Sequence, residues 1–115
     1  MSISKVKRTP YTLAIMKLSK HNKKITEFIE TTYPDYVDKI LLADGFDDAF
    51  VGITENTIGN PVAVYSIEKC LNILAEQFKD QEDPETDAID YFEFNVRGSY
   101  VGEFTPLFLN SYLLF

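Results

Sequence analysis

Ala49-Phe50-Val51-Gly52-Ile53-Thr54 and Val62-Ala63-Val64-Tyr65, separated by a segment that closes on Gly59-Asn60-Pro61, decide how the rest of this sequence is read. Both runs are rich in β-branched and aromatic residues, which suit a pleated, half-buried surface. The Gly-Asn-Pro string between them is turn chemistry, so the pair predicts an antiparallel hairpin. Ser66 follows at once, and its hydroxyl suits a helix N-cap. Beyond it Ile67, Cys70, Leu71, Leu74 and Phe78 recur at helical spacing, with Glu68 where the helix dipole favours an acid. A two-stranded ribbon alone is marginal in water. Hairpin and helix are therefore expected to form one ββα unit that buries Leu71 and Leu74.

Downstream, Asp83-Pro84-Glu85 repeats the helix start signal of cap, proline and early acid. Ala88, Ile89, Phe92 and Val96 give that helix an inward stripe, and Gly98 is placed to end it in a left-handed conformation. Tyr100 to Pro106 reads as extended, and the tail from Leu107 to Phe115 is strongly apolar, so it is expected to be ordered and mostly buried. Upstream, Thr9-Pro10 opens a helical pattern in which Ala14, Leu18, His21, Ile25, Phe28 and Thr32 alternate by four and three. One helix is expected to run to Thr32, weakest over Ser19 to Asn22, and Tyr33-Pro34-Asp35 ends it. A shorter helix is expected from Asp35 to Leu42, with Val37, Ile40 and Leu41 inward. The expected class is α+β: a small single domain over residues 1–115, a β-hairpin packed on several helices, with residues 1–9 a candidate flexible basic arm.

Hydrophobic residues make up 45% of the 115 positions, enough to offset the ordering entropy of folding. No apolar run has the length needed to cross a bilayer. The first residues lack the pattern of a secretory signal, and a lone cysteine suits a reducing compartment, so the sequence reads as cytoplasmic. Charge is unevenly spread. Residues 1–24 carry seven bases (Lys5, Lys7, Arg8, Lys17, Lys20, Lys23 and Lys24) and no acid, whereas the remainder carries four bases and all eighteen acids, which together give the net −7. The basic segment either contacts an anionic partner such as nucleic acid or covers the acidic body of its own chain.

Candidate chemistry is sparse. Asp44 and Glu55 stand at the first and twelfth positions of a calcium-loop spacing, with Asp47 and Asp48 between them. The third position is Phe46 and the sixth Ala49, neither of which fits, so turn formation and solvation explain these acids better. His21 is the only histidine, which removes multi-histidine metal sites. Cys70 falls in an apolar pattern and reads as a small core hydrophobe. Phosphate-loop, nucleophile-elbow and zinc motifs are missing. Glu93, Asn95 and Glu103 could form a polar constellation, with an acid and base pair among them if burial split their pKa values; otherwise Asn95 and Glu103 serve backbone groups around Gly98. No catalytic residue, metal ligand or cofactor is assigned.

The string Asp44-Gly45-Phe46-Asp47-Asp48-Ala49-Phe50-Val51-Gly52, with Pro61 to Tyr65, Lys69-Cys70 and Tyr91-Phe92-Glu93-Phe94-Asn95-Val96-Arg97-Gly98 running on to Pro106, resembles a family of small proteins encoded by tailed bacteriophages and prophages. The resemblance spans roughly residues 43 to 108 and leaves the basic N-terminal segment unplaced. It implies a viral origin and a setting in the host cytoplasm during infection, and no mechanism. Three functions follow as expectations. The first is a non-enzymatic phage accessory protein that binds a protein partner, a host factor among the candidates, with Asp44, Asp47, Asp48, Glu93, Asn95 and Glu103 as candidate partner-binding residues; a homodimer through the apolar tail is a second arrangement. The alternative is nucleic-acid binding through the basic segment, or mimicry of DNA by the acidic body. The third is a small hydrolase built on Asp44, Asp48, Glu93 or Glu103.

Overall fold

Pro61-Val62-Ala63-Val64-Tyr65-Ser66 forms the central strand, β2, of a three-stranded sheet. The computed structural model describes residues 22–110, and the statements below concern those. Strand β1, Phe50–Glu55, pairs with β2 antiparallel as the hairpin requires, and β3, Leu107–Leu109, pairs with it in parallel. Ala63 and Tyr65 lie on one face of β2 with no exposed surface, opposite Ile53 and Phe50 of β1, and Phe108 of β3 stands beside Tyr65. Val51 is the extra residue of a bulge between Phe50 and Gly52, which keeps both Phe50 and Ile53 on the inner face. The hairpin loop is organised by Asn56. Its Oδ1 accepts from the N–H groups of Ile58 (3.1 Å) and Asn60 (3.0 Å), and its Nδ2 donates to the Glu103 carbonyl (2.8 Å). Gly59 takes a φ of 86° there, a conformation that glycine adopts without steric cost.

Three α-helices pack on the inner face: α1, Lys23–Thr32, α2, Ile67–Gln77, and α3, Pro84–Phe92. As expected, Ser66 Oγ accepts from the Lys69 N–H at 3.2 Å to start α2, and Asp83 Oδ1 accepts from Thr86 at 3.3 Å to start α3. Ile67, Cys70 and Leu74 are buried along α2, while Leu71 is half-buried. The core joins these to Ile25 and Ile29 of α1, Ala88 and Phe92 of α3, and Ile40, Leu42 and Phe46 from the connection between α1 and β1. The chain is thus α+β, with the hairpin packed on helices and a short parallel strand completing the sheet. Among the described residues no helix is long and apolar enough to cross a membrane.

Several local expectations need correction. The helix drawn through to Thr32 does not continue across Asn22, whose ψ of 132° is non-helical and whose Oδ1 caps Lys24 at 2.7 Å. A short polar side chain offers the backbone an alternative to the helix there. The earlier part of that stripe, with Ala14, Leu18, His21 and the basic residues from Lys5 to Lys20, lies outside the described residues. Within the described part of the stripe Ile25 is buried as expected, with Ile29 beside it, whereas Phe28 and Thr32 are exposed. Asp35 to Leu42 forms no α-helix: a single 3₁₀ turn, Pro34–Tyr36, leads into a passage in which Ile40 and Leu42 are buried and Val37 and Leu41 are partly so. Ile89 points outward and is 49% exposed. Leu107 and Leu109 are exposed, with Phe108 between them turned to the core, so period-two alternation and not wholesale burial governs this part of the tail. Residues 111–115 lie outside the described residues.

Gly98 also departs from expectation: it has φ −84° and ψ −2°, ordinary helical geometry, because a π-helical turn, Glu93–Arg97, carries the chain beyond α3. The positive φ falls at Gly102 instead, at 118°. A methyl group on Gly98 would meet only the Glu93 carbonyl at an unstrained 3.7 Å. Gly98→Ala is therefore expected to leave stability unchanged or raise it by up to about 1 kcal/mol through the unfolded chain. Gly102→Ala should cost about 1–3 kcal/mol. Urea denaturation of the two variants checks this, and equal effects would refute the assignment.

Candidate functional site

The acidic residues between α1 and β1 are held by the backbone that carries them. Asp44 precedes the turn at Gly45, and Asp47 and Asp48 open a 3₁₀ turn, Asp47–Ala49, that delivers Phe50 to the sheet. The Asp47 carboxylate accepts from the Asn22 N–H, tying this turn to the start of α1. Directly behind lies Tyr65, whose hydroxyl oxygen accepts from the Ala43 N–H at 2.8 Å in a fully buried position. Its ring stacks on Phe108 (5.7 Å between centroids) and meets Phe50 edge-on at 5.7 Å. Burial pushes the Tyr65 pKa up, and the charges of Asp47 and Asp44 add to it.

Glu93, Asn95 and Glu103 stand in different settings. Glu93 is on the π turn and pairs with Arg97 at 3.2 Å. Asn95 is buried; its Nδ2 donates to the Tyr91 carbonyl at 3.1 Å, and its Oδ1 has no hydrogen-bond partner. Ser99 Oγ donates to the Asn95 carbonyl at 3.0 Å, so near Gly98 it is the Ser99 side chain that serves the backbone, while the Asn95 side chain serves Tyr91 upstream. Glu103 is exposed, and its carbonyl is the one that receives Asn56. The three therefore bond to Arg97, to Tyr91 and Ser99, and to Asn56, and not to one another. Asp44 and Asp48 are also exposed, on a loop that leads into β1 rather than on the π turn. Among the described residues no group of three or more His, Cys, Asp or Glu could hold a metal ion.

What sequence reasoning missed is the outward face of α3 and its π turn. Ala88, Phe92 and Val96 turn inward, so Phe94, two residues past Phe92, is carried to the other side of the helix. It is 64% exposed and Ile89 is 49% exposed. Spacing of four residues puts Glu85, Ile89, Glu93 and Arg97 in one row and Thr86, Asp90 and Phe94 in the next. Those residues are all exposed, so two large apolar side chains stand among carboxylates in water. The helical period that puts Phe92 and Val96 on the inward stripe leaves Phe94 off it, and that is the signal in the sequence for its outward position.

Cys70 is fully buried in α2, and burial pushes its thiol pKa from 9.0 up to about 12, the opposite of an activated nucleophile. Comparison of the chain with protein-family models, with curated proteins and with solved structures found no match. Two expectations follow from the buried groups. Tyr65→Phe leaves the Ala43 N–H unpaired in the interior and should cost about 1–3 kcal/mol by chemical denaturation. The folded chain also keeps the Cys70 proton at pH values where the unfolded chain releases it. Stability is therefore fully present below pH 9.0 and falls as pH rises towards about 12. Cys70→Ala should flatten part of that decline in denaturation curves taken at neutral pH and at about pH 10.5; an identical decline would show that the thiol is not its source.

Proposed function

We propose that this chain is a non-enzymatic accessory protein that acts by binding a protein partner, in the bacteriophage setting that the motifs from Asp44 to Gly52 and from Tyr91 to Pro106 suggest. The observation behind the reading is the exposure of Phe94 and Ile89 on the outer face of the α3 segment. Large aromatic and aliphatic side chains on a small domain usually go to the core, and aromatic anchors ringed by polar groups are what protein interfaces use. The carboxylates considered for a hydrolase lack any such concentration: Asp44, Asp48 and Glu103 are exposed on loops and Glu93 is paired with Arg97. Mimicry of DNA would draw on the same acids but gives Phe94 and Ile89 no role. Of the basic residues considered for nucleic acid, Lys23 and Lys24 fall among the described residues, exposed at the start of α1.

The test is affinity capture from bacterial lysate with the full chain as bait, beside an Ile89→Ser/Phe94→Ser double variant. Because both positions are exposed, the variant should fold as the parent does, which its amide spectrum checks. A partner retained by the parent and lost by the variant is the expected result. The same set of proteins on both baits would reject this face as the binding surface.

A further inference from the structure

Resting on that reading, we infer that the outer face of α3 and its π turn takes a cationic amphipathic protein segment, one whose apolar residues are flanked by lysine or arginine. The charge pattern carries the inference. Between Glu76 and Glu93 the chain holds eight acids and a single base, Lys79, which is paired with Glu76 at 3.3 Å. Asp83, Glu85 and Asp87 are explained by the helix start, where the dipole favours negative charge. Asp90 and Glu93 are not. They stand beyond the first turn, in a helical run that continues to Arg97, the base of its last turn, so the positive end of the dipole does not account for them. Arg97 offsets Glu93, whereas among the described residues no ion pair reaches Asp90, which shares its row with Phe94. Among the described residues the face thus keeps uncompensated negative charge beside its two apolar anchors, and a cationic partner would relieve it.

The same charges exclude other occupants. Nucleic acid and an anionic bilayer surface would meet like charge. A second copy related by two-fold symmetry would set Glu85, Asp90 and Glu93 against the same residues of its mate. A neutral apolar segment would cover Phe94 and Ile89 but would desolvate the carboxylates around them without pairing them.

The probe is a synthetic peptide of about 18 residues with leucine and lysine at helical spacing, titrated into the isotope-labelled full chain and followed by amide chemical shifts. A control peptide carries glutamate at every lysine position. Saturable shifts centred on residues 85–97 are expected with the lysine peptide alone, weakening as salt rises from about 0.05 to about 0.3 M. Ile89→Ser/Phe94→Ser should lower the affinity about tenfold or more, and Glu85→Lys/Asp90→Lys should abolish binding. Equal binding of both peptides, shifts centred elsewhere, or undiminished affinity in either variant would overturn the inference. If the lysine peptide leaves the spectrum unchanged while the lysate partner still depends on Ile89 and Phe94, the face binds protein of another chemistry, and the protein-binding reading stands without this one.

Discussion

The buried side chain of Tyr65 is the constraint on which the described structure depends. It stands near the end of the central strand, with β1 on one side and β3 on the other, so its ring meets Phe50 and Phe108 in turn. Phe108 meets Phe92 of α3 edge-on at 5.4 Å, which extends this aromatic line from the sheet into the helical layer. At the other end the hydroxyl satisfies the backbone of Ala43 and thereby fixes the connection between α1 and β1. An apolar ring with one polar tip can serve both purposes, because a buried phenol oxygen that finds its partner avoids the desolvation penalty of an orphan. Position along the strand, depth and chemistry are all required of one residue.

Asn95 shows the opposite case. Its Nδ2 is used and its Oδ1 is not, and it sits in the widened turn that keeps Val96 beneath Phe92. π turns are costly and recur where a helix serves a purpose besides packing. Here the turn presents Phe94 outward directly beside a buried, incompletely satisfied amide. Core and surface of this segment therefore have separate demands, and its geometry answers to both.

Where local chemistry decided conformation, the sequence was legible. The two strands, the Ser66 cap and the Asp83-Pro84 start all appear where turn and capping chemistry put them, since each depends on neighbours a few residues away. Misreadings came where tertiary packing or a local competitor intervened. Asn22 was folded into a helical stripe, although its side chain competes for the backbone. Gly98 does end the helical run, but in right-handed geometry, because the π turn before it leaves no simple mark on periodicity. Strand β3 has only three residues and exists by pairing with Val64, Tyr65 and Ser66, so nothing within Leu107-Phe108-Leu109 announces a partner far away in the chain. For the candidate site, the carboxylates are legible as titratable groups, whereas Phe94 carries no such signal and is marked only by the side of the helix on which it stands.

The parallel pairing of β3 with β2 also bears on how the chain reaches its fold. Hairpin and α2 involve neighbours in sequence, so their loop-closure cost is small. Val64 and Leu107, by contrast, meet across an intervening stretch of about 40 residues that contains both α2 and α3. The sheet can be completed only when those two helices have brought its last strand round. Until then the edge of β2 and the ring of Tyr65 stay open on the side that Phe108 will cover. The slowest step of folding is therefore expected to be the docking of β3, and the species that precedes it carries the greatest exposure to intermolecular strand pairing.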